Sequence, residues 1–403
     1  MSSAQPDSIQ KIITSLIAEE VQDFIVQNEH ADVGALLLKK KVLHGVSAEW
    51  IAHQIQGRKK IKEKLPRWYN TRGIVYPPSL HLEQSSSEET AAVKCEGLRG
   101  KRAADLTGGF GVDSYFLSTV FEHIDYVEPD GKLLAIAAHN HAILGAGNIR
   151  HHHTTAEKFL QSATASFDLL FVDPSRRTAA RKVFQLKDSL PDVVALKSIL
   201  LQKAPRVLVK SSPLLDLKHA SREMEGIEKF TVVSVNNECR ELLLWMGGKE
   251  VLDPLIEALD ITRNATRTSI SFTWAEEKAA VVRFAAPQSY LYEPHAALMK
   301  AGAFRLLAQK FNVGKLAADT HLYTSLLPVN DFPGRVFKIV EQISLDKKLK
   351  TRFEGGYANI LRRNHPLSVA DIKKKTGLRE GGIHYLICTR TDKPVAFLAE
   401  RLK

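Results

Sequence analysis

Short apolar runs alternate with stretches of helical spacing through the middle of the chain. Ala103–Leu106, Ile124–Val127, Ile149–Thr154, Phe167–Val172 (FDLLFV) and Arg206–Lys210 are short and largely apolar, as buried parallel strands are. Between them, Leu82–Val93 and the Ala-rich Leu133–Leu144 read as helices. Ser85 or Ser86 is the expected cap of the first, and Gly145 the stop of the second. Phe230–Val235 and Glu241–Met246 read as a hairpin closing the same sheet. This alternation predicts an α/β fold built on an open, largely parallel sheet. Right-handed crossovers then bring Asp105, Glu128, Asp173 and Lys210 to one sheet edge, where open α/β folds bind ligands.

The flanks read differently. Near the N-terminus, SIQKIITSLIAEEVQDFIVQN has apolar residues at helical spacing, and Tyr76-Pro77-Pro78 reads as a linker. Beyond residue 250, Ile270–Trp274 and Ala279–Phe284 read as two strands joined by a short turn. Pro294–Phe311 reads as a helix, Lys315–Tyr323 as a strand region and Arg335–Gln342 as a strand. That mix suggests a small α+β domain of ferredoxin-like type. A second α+β piece follows, with a helix Ser368–Lys375 capped by Ser368 and stopped at Gly377, then the strand HYLICTR. Four segments result: a helical region 1–75, an α/β domain 76–250, a ferredoxin-like domain 251–345 and a last domain 346–403.

The turn after the first strand carries the sharpest chemical signal. AADLTGGFGVDSYFL, residues 103–117, places Asp105, Gly109 and Gly111 in the spacing acid-x-x-x-Gly-x-Gly. The glycines permit a tight turn and close backbone approach to a ligand. A nicotinamide fingerprint needs Gly-x-Gly-x-x-Gly, and here Ser114 stands in the last position. Asp105 would also set negative charge against a pyrophosphate. An acid at the strand tip suits a ligand ammonium, so S-adenosylmethionine (SAM) fits better than a dinucleotide. A turn that uses its glycines for geometry alone is the other reading. Glu128 ends the second strand, where an acid accepts from both ribose hydroxyls, or lies solvated before a turn. Thr155, Ala156 and Glu157 follow the third strand, where an adenine would be held.

DLTGGFG, Glu128 and FDLLFVDPSRR together resemble the class I SAM-dependent methyltransferases. The Asp-Pro-Ser-Arg-Arg tail, LEQSSSEETA upstream, and YLYEPHAALMKAGAF and DFPGRVFKI downstream are similar to the bacterial members with a THUMP-like C-terminal domain. The resemblance spans most of the chain. It implies a Rossmann-like domain of seven strands ordered 3-2-1-4-5-7-6, and a THUMP-like module over 346–403 that holds RNA. It implies that Asp105, Thr107, Gly108, Gly109 and Gly111 hold the methionine end of SAM, Glu128 the ribose, and Ala156 and Glu157 the adenine end. Glu83, Gln84, Ser86 and Thr90 are the candidates for closing over the methionine end. Asp173-Pro174 would lie beside the methyl donor, with Asp173 orienting the acceptor and Lys210 and Glu241 assisting.

The acceptor is argued from the tips of strands four and five. Amino-group methyltransferases usually follow Asp/Asn-Pro-Pro with an aromatic ring that stacks on a flipped base. Here Ser175 and Arg176 stand instead, and a guanidinium can also stack. Arg176 and Arg177 are alternatively grips for phosphate, or partners of nearby carboxylates. Methylation at C5 of a pyrimidine needs a cysteine nucleophile, and Lys210-Ser211-Ser212-Pro213 offers none. Ribose 2′-O methylation uses two lysines, an aspartate and a glutamate. Asp173, Lys210 and Glu241 match three of these, with Lys94 a guess for the fourth. A base nitrogen is the first expectation and a ribose oxygen the alternative. An RNA-binding module that keeps the fold without turnover is the alternative of another class. A protein methyltransferase is a further one, for which the basic flanks give no reason.

Charge narrows the partner. The 403 residues carry a net charge of +11. Residues 39–67 hold nine Lys/Arg against two Glu, and 347–403 hold fourteen against five acids, so the positive charge lies outside the central domain. Basic flanks suit a polyanion such as tRNA or rRNA, with Lys373, Lys374 and Lys375 as candidate contacts; a solvated Lys-rich surface is the alternative. No apolar run is long enough for a bilayer, and MSSAQPDSIQK lacks a basic-then-apolar signal. Cys95, Cys239 and Cys388 are far apart. These features predict a cytoplasmic protein without a membrane partner. Adjacent residues in a strand point to opposite faces, so His151, His152 and His153 are not expected to converge on a metal.

Overall fold

The apolar runs form strands β1 (Gly100–Asp105), β2 (Phe121–Val127), β3 (Ile149–His152), β4 (Leu169–Val172), β5 (Val207–Ser211), β6 (Ile227–Val235) and β7 (Glu238–Met246). Two more, β8 (Leu255–Ile261) and β9 (Arg267–Phe272), join the same sheet, whose order is β9-β8-β6-β7-β5-β4-β1-β2-β3. The predicted order 3-2-1-4-5-7-6 is contained in it. The structure is a computed structural model and describes residues 6–38, 43–176, 185–249, 251–264 and 266–403. The chain divides into two units, Met1–Glu228 with Leu243–Glu250, and Lys229–Leu242 with Val251–Lys403.

In the first unit, β1 pairs in parallel with β2 and β4, β2 with β3, and β4 with β5. All four residues of β4 are buried, as its unbroken apolar run requires. The parallel register puts Asp105 opposite Tyr126 and Phe171, so the C-terminal strand ends share one edge. Leu82–Val93 is two helices, Ser79–Gln84 and Glu88–Cys95, and the second is capped by Ser87 in place of Ser85 or Ser86. The sequence signal is Ser-x-x-Thr: Thr90 N–H donates to Ser87 Oγ at 3.2 Å, and Ser87 N–H donates back to Thr90 Oγ1 at 3.1 Å. The segment before the linker is tied to helix Gly131–Ile143 by Asn140. Its side chain accepts from Val75 N–H and donates to Val75 O, both at 2.9 Å.

In the second unit, Asn236 and Asn237, with φ of 53° and 62°, form the two-residue turn between β6 and β7. β9 pairs with β8 at the edge of the nine-stranded sheet and does not open a new one. The expected partner strand Ala279–Phe284 is absent; Trp274–Ala279 is a helix. Thr273 and Glu276 make a capping box, a local signal that outweighs the β-branched residues just after it. The expected single helix Pro294–Phe311 is likewise two, broken where Gly302 turns left-handed at φ 83°.

A seven-stranded sheet follows, from β10 (Tyr290–Pro294), β11 (Gly314–Ala317), β12 (Thr320–Ser325), β13 (Gly334–Ile343), β14 (Tyr357–Arg362), β15 (Arg379–Arg390) and β16 (Pro394–Arg401). Its order is β11-β12-β10-β13-β16-β15-β14. Its faces alternate with period two: Ile387 and Phe397 pack with Leu291 and Phe337, while Leu386, Cys388 and Ala396 pack with Ile372 and Phe353. Helix Val369–Thr376 has the predicted Ser368 cap and a left-handed Gly377. Among the described residues no helix is long and apolar enough to cross a membrane.

Candidate functional site

The glycine-rich turn is held by hydrogen bonds on every side. Gly109 and Gly111 have φ of 58° and 85°, the left-handed region that favours glycine. Gly108 is required for a different reason: a Cβ there would lie 2.1 Å from the fully buried Tyr126 ring. Tyr126 donates its hydroxyl to Gly109 O at 2.6 Å. Gly108→Ala is expected to cost about 1–3 kcal/mol of stability, because ring and backbone cannot both stay in place. Urea unfolding of the full chain measures it, and an unchanged midpoint would show that the ring yields freely.

Two carboxylates flank this turn. Asp105 is 1 % exposed and accepts from Thr107 N–H at 3.0 Å and from the Ser114 hydroxyl at 2.5 Å. Burial pushes its carboxyl up to about 7. Glu128 accepts from Gly109 N–H and Asp130 N–H, each at 2.9 Å, and burial raises its carboxyl as well. Each carboxylate oxygen keeps a second lone-pair site for a ligand. Two desolvated acids bonded to one turn favour a cationic ligand over an anionic one.

Asp173 follows β4 and is anchored through its backbone, its N–H donating to Thr107 Oγ1 at 2.6 Å. Its Oδ2 accepts from Lys210 Nζ at 2.5 Å; among the described residues its Oδ1 has no hydrogen-bond donor. Burial raises the Asp173 carboxyl, with the Lys210 ammonium opposing that shift. The Ser86 hydroxyl, within 3.3 Å of Lys210 Nζ, continues this polar network.

These groups surround a cleft of about 440 Å³, within the range of small-molecule sites. Of the residues predicted from the sequence, Gln84, Ser86, Thr107, Gly108, Gly109, Gly111, Glu128, Ala156, Glu157 and Asp173 line it, and Asp105 lies beneath the turn. Glu83 and Thr90 are not among its lining residues: Glu83 pairs with Lys60 in solvent, and Thr90 is spent on the Ser87 cap. Lys210 is not among its lining residues but touches two that are, Asp173 and Ser86. Glu241 is buried in β7, which crosses from the second unit into the first. Arg176 pairs with Ser189 in a two-residue ribbon, and Arg177 lies outside the described residues. Lys374 and Lys375 are exposed, and Lys373 pairs with Glu380 at 2.9 Å.

Sequence reasoning missed His81, Phe110, Asp113, Leu190 and Pro191, which also line the cleft. Asp113 was readable, because it stands in the first turn of the helix opened by Gly111. Leu190 and Pro191 arrive through the Ser175–Arg176 ribbon and carry no local signal. The three histidines have separate partners. His151 meets His141 at 2.9 Å, His152 meets Asp125 at 2.6 Å, and His153 meets Pro129 O at 3.0 Å.

The site fits SAM by its own features. The glycine turn leaves backbone exposed to the cleft, a buried acid lies beneath that turn, and a second acid stands at the end of β2. Fold and cleft together define a class I methyltransferase domain. A family model for a ferredoxin-like domain matches residues 290–333, and one for a THUMP domain-like module matches 334–401. A crystal structure of a candidate methyltransferase from Porphyromonas gingivalis W83 is 28 % identical, with a TM-score of 0.85 over 100 % of both chains. Two uncharacterized S-adenosylmethionine-dependent methyltransferases of Mycobacterium tuberculosis, from strains CDC 1551 / Oshkosh and H37Rv, are each 22 % identical over 316 residues, covering 77 % of this chain and 83 % of theirs. The chain is a SAM-dependent methyltransferase with ferredoxin-like and THUMP-like C-terminal domains.

Proposed function

We propose that the protein methylates RNA, tRNA or rRNA, at a base nitrogen. The observation that carries the acceptor reading is the divided Asp173 carboxylate: one oxygen is fixed by Lys210, and the other has no hydrogen-bond donor among the described residues. That open oxygen can accept an N–H from an exocyclic amine and hold its lone pair in line with a methyl group. SAM bound in the cleft supplies an electrophilic methyl on a sulfonium. The acceptor nitrogen forms the new N–C bond, the methyl's bond to sulfur breaks with its electron pair staying on sulfur, and the extra N–H proton leaves through Asp173 to solvent. Asp105 and the Gly109–Gly111 turn hold the methionine end and Glu128 the ribose.

RNA is supported by the THUMP domain-like match over 334–401 and by the basic surplus of 347–403. Arg176, Arg177 and Lys373–Lys375 are the proposed RNA contacts. The three cysteines carry no disulfide, which fits the reducing cytoplasm proposed for it. A ribose hydroxyl is the second acceptor, favoured by a specific observation: Lys94 and Lys210 both reach the Ser86 hydroxyl, so two lysines stand near Asp173. Labelled SAM is incubated with unmodified total RNA and the products are resolved by nucleoside mass spectrometry. A base-methylated nucleoside is expected; a 2′-O-methylated one selects the second reading. SAM binding without transfer to any RNA would overturn both.

A further inference from the structure

Beneath Asp173 lies a buried polar layer with a single hub. Ser86 is 2 % exposed and stands between the helices Ser79–Gln84 and Glu88–Cys95. Its hydroxyl donates to Asp113 Oδ2 at 2.7 Å and accepts from Lys94 Nζ at 3.0 Å and Lys210 Nζ at 3.3 Å. A serine hydroxyl has one proton and two lone pairs, so these three contacts use its full capacity. Lys94, itself 2 % exposed, pairs with Asp113 Oδ1 at 3.1 Å, as Lys210 pairs with Asp173 at 2.5 Å. The charges therefore run Asp113, Lys94, Lys210, Asp173, with both cations meeting at one neutral oxygen.

We propose that Ser86 is a positioning residue for the acceptor side of the cleft, and not a ligand of the methyl donor. It pins the Lys210 ammonium between two fixed acceptors, and Lys210 in turn fixes the plane of the Asp173 carboxylate. The serine proton is committed to Asp113, so both lysines can only donate to the hydroxyl. Two like charges at one oxygen are tolerated because a carboxylate stands at each end of the row. With Lys210 held at two points, Asp173 Oδ1 keeps a single direction into the cleft, which is what in-line transfer needs. The inference rests on Asp173 orienting the acceptor, and its test is independent of which acceptor that is.

The test uses the full chain and the variants Ser86→Ala, Ser86→Thr and Lys94→Met. SAM affinity is measured by calorimetry, and the Lys210 ε-carbon is titrated by NMR in ¹³C-lysine protein, assigned by its loss in Lys210→Met. Ser86→Ala is expected to change SAM affinity by less than about twofold, while the Lys210 titration midpoint falls by about half a pH unit or more as the ammonium loses an acceptor. Ser86→Thr restores the midpoint. Lys94→Met moves it the opposite way, because a neighbouring positive charge is gone; if that variant does not fold, the two serine variants still decide. On any identified acceptor, Ser86→Ala lowers kcat and leaves the KM for SAM unchanged. A loss of SAM affinity of about tenfold or more in Ser86→Ala, or an unmoved Lys210 midpoint, overturns the proposal. Neither binding nor titration needs an RNA, so failure to methylate RNA sinks the functional reading alone.

Discussion

Asp173→Asn is expected to lower methyl transfer by about 10²–10⁴-fold while SAM affinity stays within about threefold. The side chain keeps its shape, but the carboxylate's two oxygens serve different partners. One accepts from Lys210 at 2.5 Å, and the other is the oxygen proposed to meet the acceptor. An amide offers one oxygen and one NH₂ group. If the NH₂ turns to Lys210, two donors oppose each other in a mostly buried place. If it turns to the cleft, a donor faces the acceptor's own N–H or O–H. Neither orientation serves both partners. Single-turnover transfer from labelled SAM to total RNA, alongside calorimetry of SAM binding, separates the two effects. Full transfer by Asp173→Asn would remove this residue from the chemistry.

Asp105→Ala is expected to weaken SAM binding by about 10²-fold at pH 8 without unfolding the protein, because a buried cation loses its counter-charge. The wild-type affinity should also depend on pH, with a sign fixed by burial. In the cofactor-free protein the Asp105 carboxyl sits at about 7, so it is protonated below that pH and ionised above it. A ligand ammonium needs the ionised form. Affinity is therefore full above about pH 7 and falls by up to about tenfold per unit below it, as each binding event must first remove a proton. Asp105→Asn should flatten the part of the profile near 7. Calorimetry across roughly pH 5.5 to 8.5 measures this, and an unchanged affinity in Asp105→Ala would place the ammonium elsewhere.

Much of the first sheet was legible because buried parallel strands have few alternatives. FDLLFV could be little else, and the Gly109 and Gly111 turn spelled out its own left-handed conformation. Boundaries failed where a cap decided them. Ser87, not its neighbours, begins the helix because Thr90 stands three residues on, and Thr273 with Glu276 put a helix where a short turn between two strands was expected. Sheet membership also failed at β9, and β8 was not foreseen as a strand, since an edge pairing far along the chain leaves no mark on local periodicity. In the cleft, the acids at the strand ends were readable from topology. The meeting of Ser86, Lys94, Asp113 and Lys210 was not, because three separate chain segments converge there and nothing in any one of them announces the others.

The glycine turn is touched by two groups whose proton preferences oppose each other. Burial pushes Asp105 up to about 7 and His141, whose Nε2 lies 2.8 Å from Gly111 O, down to about 4. Between those pH values the folded chain holds one proton more than the unfolded chain at Asp105, so stability there falls as pH rises. At His141 it holds one fewer up to about 6.5, the ordinary histidine value, so stability there rises with pH. The two slopes cancel over most of that interval. If Asp105 holds the ligand's ammonium as proposed, mild acidification empties the site with little penalty to the turn that cradles it, and retention of the methyl donor, rather than integrity of the fold, becomes the acid-sensitive property of this end of the sheet.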